Sequence, residues 1–382
     1  MQAKLEKYML LKEVIIKGYK SISHNAPLKL TLSKINVILG ANGSGKSNII
    51  SFFKMLNYMM SGSLQSYIES NGGSQCFLHY GSKKTQNILA SLKFESSQVH
   101  DKYDFALSYA TPDKLIITSE EVEYQSNQSD NLSKPMKIKL ETDFKESALS
   151  SKQDDKTLSV IRKILVKCKV YQFHDSSQTA AIRNSCPKDA DNYLQAEANN
   201  LAAFLLRIKN EFPDNYNNIV SYVRLVVPQF QDFILEPNRA GNVMLKWRDN
   251  SASDYIFLPN QFSDGSIRFI ALATLLLQPQ KTMPKVIIID EPELGLHPYA
   301  ITQLSEMIKE ASNHSQVIIA TQSPYLVDEF SVNDIVVVES VKEEGYSHTQ
   351  IKRLKESELK EWLNEYTISD LWDKNVIGGR PV

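Results

Sequence analysis

Short, almost wholly apolar runs mark the predicted core of this chain. Ile35–Leu39 ends at a glycine, as buried parallel strands often do, and Lys46–Met60 repeats apolar residues at helical spacing. Further along, strand-like and helix-like runs alternate, with strands at 286–289, 317–320 and 335–339 and helices at 269–277 and 300–311. This alternation predicts a mostly parallel sheet with crossover helices, split between an early and a late part of the chain.

A region of different pattern separates the two parts of this predicted core. Residues 61–75 are rich in Ser, Gln and Gly, and segments of β character follow after polar runs. That spacing predicts an antiparallel sheet. The predicted strands of this sheet are 87–94, 103–109 and 114–124, after an earlier strand at 11–16 and an apolar run at 28–32. Beyond the sheet the pattern predicts a helix at 152–167, a strand at 170–173 and two or more helices within 193–227.

Composition narrows the class of protein. The chain has 382 residues, of which 42% are apolar and 23% charged, the balance of a folded globular protein. A net charge of −1 gives no global reason to expect nucleic-acid or membrane binding. The three cysteines, Cys76, Cys168 and Cys186, are far apart and form no CxxC pair, which favours a reducing cytoplasm. The longest apolar stretch, 269–277, is about half a membrane span, so a soluble, cytoplasmic protein is expected.

The segment GANGSGKS, residues 40–47, matches the phosphate-binding P-loop pattern at every fixed position. Glycines let backbone N–H groups turn towards phosphate oxygens, Lys46 can bridge the β- and γ-phosphates, and the Ser47 hydroxyl can ligate Mg²⁺. The alternative, an ordinary Gly/Ser turn, is disfavoured by the strand before it and the helix after it. The candidate nucleotide-binding residues are Gly40, Ala41, Asn42, Gly43, Ser44, Gly45, Lys46, Ser47 and Asn48.

A second candidate site lies where the apolar run 286–289 ends in Asp290 and Glu291. A carboxylate at the tip of a buried strand can hold the metal through water, and this task falls to Asp290. Glu291 can orient and deprotonate the attacking water. The alternative is a strand that merely ends in acidic residues, which is common in isolation but less so in a chain with an intact P-loop.

The segment from Ser263 to Ser266, Ser-Asp-Gly-Ser, precedes the apolar helix. Taken alone it predicts a helix N-cap at Ser263 or Asp264. It also lies 27 residues before Asp290. In this position ATPases of the ABC/SMC class carry a signature loop that reaches the γ-phosphate of the partner subunit, which makes Ser263, Gly265 and Ser266 candidate nucleotide contacts.

The order of these motifs, followed by Thr-Gln-Ser-Pro at 321–324, resembles the ABC-type ATPases of the RecF/SMC and overcoming-lysogenization-defect (OLD-like) group. The resemblance runs over most of the chain and is weakest between 61 and 150. It implies ATP and Mg²⁺ as cofactors and hydrolysis of ATP to ADP and phosphate. Four stretches resemble more narrowly the short, stand-alone AAA-family predicted ATPases of that group: 17–22, 170–175, 200–209 and 378–381.

The resemblance also assigns residues outside the main motifs. Gln322 takes the switch position, where many relatives have histidine; an amide can still hydrogen-bond the γ-phosphate but does not titrate. With Lys46 and Glu291 it completes the expected catalytic set. Gln172 or His174 is the Q-loop sensor, although a buried strand with a polar tail gives the same letters. Lys20 and Ser21 contact the nucleotide or lie in a solvated turn.

The expected fold is therefore an α/β head of the ABC/SMC type, with a mostly parallel core sheet, an antiparallel β insertion and a helical signature lobe. Residues 1–175 would form the first part of the ATPase lobe, 176–285 the helical lobe, and 286–382 the completion of the ATPase lobe. Only 60 of the 382 residues follow Gln322, which predicts no C-terminal Toprim domain. By the resemblance, nucleotide binds between two heads, in a homodimer or a higher homo-oligomer.

Three functions compete at this stage. Transporter motors place the signature lobe soon after the P-loop, whereas 244 residues separate Lys46 from Asp290 here, so that function falls away. A regulatory ATPase of a bacterial or phage-encoded anti-phage defence system would act with a separately encoded effector, a nuclease being the expected class. A repair or recombination ATPase would bind DNA directly. The neutral charge and the lack of a long heptad array favour the defence function; the effector, the trigger and the oligomer beyond a head dimer stay open.

Overall fold

The computed structural model describes residues 9–96, 99–128, 131–132, 135–151, 155–343 and 345–380. They fall into two compact units. The first comprises Met1–Lys169 and Val332–Val382, and the second comprises Val170–Ser331.

The strands in chain order are β1 (Leu10–Lys17), β2 (Leu28–Thr31), β3 (Ile35–Leu39), β4 (Asn87–Glu95), β5 (Val99–Ala110), β6 (Lys114–Gln128), β7 (Asn131–Leu132), β8 (Met136–Lys139), β9 (Cys168–Tyr171), β10 (Cys186–Pro187), β11 (Phe230–Ile234), β12 (Asn242–Val243), β13 (Lys246–Asp249), β14 (Ala252–Phe257), β15 (Val286–Asp290), β16 (Gln316–Thr321), β17 (Ile335–Glu343) and β18 (Tyr346–Arg353). The helices are α1 (Lys46–Met60), α2 (Leu64–Ser70), α3 (Ala148–Ser151), α4 (Lys156–Val166), α5 (Leu201–Glu211), α6 (Pro213–Val226), α7 (Asp264–Leu277), α8 (Pro298–Ala311), α9 (Pro324–Val327), α10 (Glu356–Leu359) and α11 (Ile368–Asp373).

The first unit contains the antiparallel sheet that the sequence predicts. Its strands lie in the order β2-β1-β4-β5-β6-β7, and β8 also pairs with β6. Alternate residues along β5 are buried, as expected for a sheet with one face on the core. Because β1 pairs with β4, the antiparallel sheet includes the first strand as well as the strands that follow α2.

The P-loop strand lies in a second sheet region of the first unit. Strand β3 is buried and pairs in parallel with β17, which pairs in antiparallel with β18. Helix α1 follows β3 directly, with the bounds that the sequence predicts, and packs on α2 and α4. Helix α4 begins at Lys156, N-capped by Asp155, within the predicted helix 152–167; residues 152–154 of that prediction lie outside the described residues.

Helix α2 was missed because its stabilising cap comes from a distant part of the sequence. The Ser, Gln and Gly of residues 61–75 gave no helical signal. In the structure, the Glu146 carboxylate accepts hydrogen bonds from the N–H groups of Leu64 and Gln65 at 2.8 and 3.0 Å. A carboxylate at a helix N-terminus satisfies free N–H groups and favours the helix dipole, and a local pattern cannot reveal it.

The second unit holds a parallel pair of strands and a group of helices. Strands β15 and β16 are buried along their whole length and pair in parallel. Helix α7 is buried from Ile267 to its end and packs against α6 and α8, which explains its nearly continuous apolar sequence. No helix in the described ranges is long and apolar enough to cross a membrane.

The second unit also contains strands that the sequence did not predict. Strands β11, β13 and β14 form a three-stranded antiparallel sheet, and β10 pairs with β12. The side chains of Phe230, Phe233, Trp247, Phe257 and Phe262 form a chain of ring contacts on this small sheet. These strands are short and lie among polar residues, so the sequence shows no clear apolar alternation there. The aromatic side chains form an apolar cluster only in the folded chain.

Candidate functional site

The P-loop connects β3 to α1 in the first unit and has the backbone that phosphate binding needs. Gly43 and Gly45 have φ values of +82° and +110°, a region that glycine enters without steric cost. A side chain at Gly45 would overlap the Thr349 hydroxyl, so the loop also needs glycine there for space. Helix α1 starts at Lys46, so the N-terminus of the helix, the positive end of its dipole, lies at the loop.

The side chains of the P-loop are compatible with a phosphate ligand. Lys46 is 6% exposed, and its Nζ donates to the carbonyl oxygens of Gly40 and Ala41 at 2.6 and 3.0 Å. The Ser44 hydroxyl is buried and has no hydrogen-bond partner among the described residues. A buried hydroxyl donor without a partner is costly unless a ligand satisfies it, and a phosphate oxygen is a suitable acceptor.

Hydroxyl and amide side chains form a hydrogen-bonded network beside the P-loop. The Asn48 side-chain amide donates to the Ser21 hydroxyl at 2.7 Å, and Ser21 in turn lies 2.7 Å from the Thr349 hydroxyl. Thr349 donates to the Ser44 carbonyl at 3.1 Å. The structure thus places Ser21 against the P-loop helix, and a contact of Lys20 or Ser21 with the nucleotide stays a prediction. Lys20 stacks its Nζ over the rings of Tyr19 and Phe77. Thr349, on β18, carries no motif and was not predicted.

In the second unit, the end of β15 gathers both candidates for the Q-loop sensor. Asp290 is 7% exposed, and its carboxylate accepts a hydrogen bond from the Gln172 amide at 3.1 Å. His174 Nε2 lies 3.0 Å from the Asp290 backbone carbonyl. Gln172 therefore contacts the carboxylate of Asp290, the candidate metal ligand, whereas His174 contacts only the main chain of Asp290.

Glu291 has an unusual backbone. Its φ is +45°, which costs a residue with a side chain about 1 to 2 kcal/mol, and its N–H donates to the Ala320 carbonyl at 2.8 Å. The Gln322 amide reaches the Glu291 carboxylate at 3.3 Å. The structure thus joins the residues that the sequence assigns to the general base and to the switch position.

A third carboxylate, which the sequence analysis did not single out, supports this pair. Glu293 accepts a hydrogen bond from the Thr321 hydroxyl at 2.5 Å, and the same hydroxyl accepts from the Ser323 N–H at 2.9 Å. These bonds fix the residues on both sides of Gln322. Burial raises the pKa of Glu293, and the neighbouring Glu291 carboxylate adds to the rise.

The predicted signature loop is a helix N-cap in this structure. The Ser263 hydroxyl accepts from the Ser266 N–H at 3.1 Å, which confirms the N-cap prediction for Ser263. Gly265 lies so close to the Gly295 carbonyl that a Cβ at this position would overlap it. The glycine is therefore required within the subunit, whatever it contacts in a partner.

Two buried arginines hold the signature loop and its surroundings. Arg183 donates to the carbonyls of Pro259 and Phe262 and pairs with Asp264 at 2.7 Å. Arg268, on the signature helix α7, donates to four groups, namely the carbonyls of Phe173, His174 and Leu294 and the Ser176 hydroxyl. Arg268 thus ties the signature helix to the segment after β9 and to the loop after Glu291. Neither arginine lies in a recognisable motif.

Comparison with solved structures identifies the fold. A structure described as the SMC head bound to the C-winged helix domain of ScpA superposes with a TM-score of 0.58, at 15% identity over 91% of this chain and 99% of that chain. The SMC head domain of Pyrococcus furiosus, with an extended coiled coil and bound to the C-terminal domain of ScpA, gives 0.57 at 14% identity over 94% and 99%. The chain therefore has the fold of an ABC/SMC-type ATPase head.

Sequence comparison identifies the family. Structural maintenance of chromosomes protein 3 of Arabidopsis thaliana is 42% identical over 53 residues, which is 14% of this chain and only 4% of that protein. A family model matches residues 35–328, a range that includes the P-loop, the acidic strand and the switch position. The chain belongs to the P-loop ATPase family described as "AAA domain, putative AbiEii toxin, Type IV TA system".

Proposed function

We propose that this protein binds ATP with Mg²⁺ and hydrolyses it to ADP and phosphate. The observation that carries the proposal is Glu291, held at a φ of +45° at the end of a buried strand with its carboxylate against Gln322. Rarely populated backbone conformations persist where the surrounding structure enforces them, and they are concentrated at active sites. A glutamate fixed in this way next to Asp290 is suited to act as a general base.

Each group of site residues has its own role in the proposed reaction. The P-loop N–H groups and Lys46 bind the β- and γ-phosphates. Ser47 and Asp290 would hold Mg²⁺, which neutralises phosphate charge when it is bound. Gln172 fixes the orientation of the Asp290 carboxylate through its hydrogen bond. Glu291 orients the attacking water and takes its proton.

Gln322 gives this site a resting state. Its amide donates to the Glu291 carboxylate. The Thr321 hydroxyl donates to Glu293 and accepts from the Ser323 N–H, and these two bonds hold the residues on both sides of Gln322. We infer that the γ-phosphate, which carries more negative charge and more acceptor oxygens than a carboxylate, draws the amide away and leaves the carboxylate to the water. ATP binding and activation of the base would then be coupled through one side chain.

Two substitutions test binding and hydrolysis separately. Lys46→Ala should lose nearly all ATP binding, whereas Glu291→Gln should bind ATP and hardly hydrolyse it, because the amide keeps the shape and loses the base. A fluorescent ATP analogue measures binding, and phosphate release measures turnover. Lys54→Ala, on the same helix as Lys46, and Glu306→Gln, on α8, are the matched controls and should behave as wild type. Near-normal turnover by Lys46→Ala would disprove the P-loop assignment.

Nucleotide-dependent pairing of two heads is the second part of the proposal. The P-loop of one subunit would face Ser263–Ser266 of the other across ATP, so that binding favours association and hydrolysis releases it. The two solved SMC heads of this fold are each bound to a domain of a separate protein, which supports partner binding in outline only. Light scattering should show Glu291→Gln as a dimer or larger assembly with ATP and as a smaller species without it. An unchanged mass would contradict the pairing.

For the biological role, we propose an OLD-like regulatory ATPase of an anti-phage defence system with a separately encoded effector. The family description names a toxin of a toxin–antitoxin system, in which function is divided between two components, and this supports a second gene product. The effector class expected is a nuclease, and the ATPase would act as its nucleotide-gated scaffold.

A repair or recombination ATPase that binds DNA directly is the alternative. The SMC-head fold and the short match to an SMC protein favour it. A net charge of −1 disfavours it, because nonspecific DNA affinity comes mainly from phosphate neutralisation. DNA binding by the purified protein across a salt series distinguishes the two: tight binding at physiological salt would favour repair.

A further inference from the structure

The C-terminal turn at Gly378 and Gly379 lies against the first residues of the P-loop. The Gly379 carbonyl accepts a hydrogen bond from the Ala41 N–H at 3.1 Å. The Gly379 N–H faces the Glu339 carboxylate at 3.4 Å, and Gly379 itself is buried. A backbone N–H of the P-loop is therefore engaged by the far end of the chain, 338 residues away.

The turn is tightly enclosed. Gly379 has a φ of +82°, and a Cβ there would lie 2.6 Å from Val337 Cγ1 and 3.3 Å from Trp372 Nε1. Real Cβ atoms do not approach a carbon so closely, so any side chain would push the turn outward. Trp372 is 8% exposed and belongs to α11, which a capping box at Thr367 and Asp370 stabilises.

Strand β17 links the turn to the P-loop a second time. Val337 and Glu339 contact the turn, and between them the carbonyl of Val338 packs against Gly40, where a Cβ would overlap it. One short stretch of β17 therefore contacts both the first glycine of the P-loop and the turn that holds Ala41. A displacement of the turn would therefore shift the start of the P-loop and change the positions of the backbone N–H groups of the loop.

We propose that the turn at Gly378 and Gly379 is a positioning element of the nucleotide site, which sets ATP affinity by holding the start of the P-loop through Ala41. The inference rests on the proposed binding of ATP at the P-loop. The anchor holds the loop before the phosphates arrive, so less conformational freedom is lost on binding. The turn does not touch the reacting atoms, and its loss affects binding more than the chemical step.

Gly379→Ala tests the proposal, and the chain offers a matched control. Gly345 has a φ of +83° and nothing within 4 Å of a Cβ, so Gly345→Ala imposes the same backbone strain without a clash. The dissociation constant of a fluorescent ATP analogue should rise about tenfold in Gly379→Ala, the effect of having to order the backbone of about one residue on binding. It should be unchanged in Gly345→Ala, and turnover at saturating ATP should stay within about twofold of wild type in both variants.

A second substitution distinguishes positioning from misfolding. Val337→Ala removes the methyl group that a Cβ at residue 379 would meet, so Gly379→Ala combined with Val337→Ala should recover most of the lost affinity, with Val337→Ala alone as the reference for the double variant. Thermal melts select a temperature at which every variant is folded. Unchanged affinity in folded Gly379→Ala, equal loss in Gly345→Ala, or no recovery in the double variant would overturn the inference. If the wild type itself binds no ATP, the proposed function fails instead.

Discussion

At the scale of single residues, the proposed function makes Gln322 the side chain that links nucleotide sensing to hydrolysis. Its amide donates to Glu291 at 3.3 Å, and neighbouring hydrogen bonds of Thr321 hold the main chain on both sides. Glutamine, unlike histidine, does not titrate near neutral pH. In the proposed function, Gln322 would therefore respond to the presence of a phosphate rather than to protonation.

Gln322→Ala should lower kcat about a hundredfold, the usual effect of removing one donor from a developing negative charge. ATP affinity should change little, because the P-loop and Lys46 supply most of the binding. Single-turnover phosphate release and equilibrium binding measure the two effects. The control is Gln303→Ala on α8, which should leave both unchanged. A large loss of affinity with normal kcat would contradict the switch assignment.

Asp101 predicts a pH-dependent stability that has nothing to do with catalysis. It lies on the buried face of β5 between Val99 and Tyr103, and its Oδ1 has no partner among the described residues. Burial raises the pKa of Asp101 to about 7 from an ordinary value of 3.8. The folded state thus binds this proton more tightly than the unfolded state, so stability falls as pH rises from about 4 to 7 and levels off above that.

Asp101→Asn removes this dependence. Urea unfolding at pH 5 and pH 8 should show that the stability of the variant relative to wild type improves by about 3 kcal/mol between the two conditions. Asp104→Asn, on the other face of β5 and paired with Lys102, should show no such change. Parallel pH curves for Asp101→Asn and wild type would contradict the assignment.

How far the sequence predicts single residues depends on whether they belong to a contiguous motif. Lys46, Asp290 and Glu291 could be predicted as site residues because neighbouring residues mark them, and their roles stay predictions. Thr349, Arg183 and Gly379 act through partners far away in the sequence, and no local pattern distinguishes them from ordinary residues. Ser21 is intermediate, since the turn was noted from the sequence, whereas its hydrogen bond with Asn48 became visible only in the structure.

At the scale of elements, sequence periodicity predicted the strands and helices whose bounds are set by neighbouring residues. Strand β3 and helix α1 have the predicted bounds because an apolar strand, a glycine-rich loop and an amphipathic helix follow one another without interruption. Helix α2 depends on Glu146, and the sheet of β11, β13 and β14 depends on aromatic contacts between its strands, so neither was predicted. The division of the chain at residues 175 and 285 stays a prediction.

The signature loop allows a prediction at this scale, and the structure changes how it should be tested. Gly265→Arg would force a side chain against the Gly295 carbonyl and disturb the loop within its own subunit. Ser263 is exposed, so Ser263→Arg can block a partner's γ-phosphate with only the loss of an N-cap, about 1 kcal/mol. Ser263→Asp keeps the cap and tests whether charge alone matters.

Ser263→Arg should therefore bind ATP and fail to hydrolyse it. Mixing it with Lys46→Ala should restore part of the activity, because some heterodimers contain one intact P-loop facing one intact signature loop. Phosphate release is measured across mixing ratios, with subunit exchange followed by fluorescence transfer. If exchange is demonstrated and no ratio restores turnover, the site is not shared between subunits.

At the scale of the whole molecule, the proposed function is that of an ATP-gated switch, and a switch needs a target to act on. In this proposal the P-loop, the Glu291–Gln322 pair and the signature loop all act on the nucleotide, and the sequence carries no motif that marks a nuclease. We expect a neighbouring gene to encode the effector, a Toprim-like or other metal-dependent nuclease that co-purifies with this protein. The ATPase alone should cut no DNA. Phage protection should require both genes, and it should require Lys46 and Glu291 in this chain. The measurement is the plating efficiency of phage on cells that carry each combination of genes and variants. The control variants Lys54→Ala and Glu306→Gln should protect as wild type. Mg²⁺-dependent cleavage by this chain that survives Glu291→Gln, or full protection from this gene alone, would contradict the division of labour.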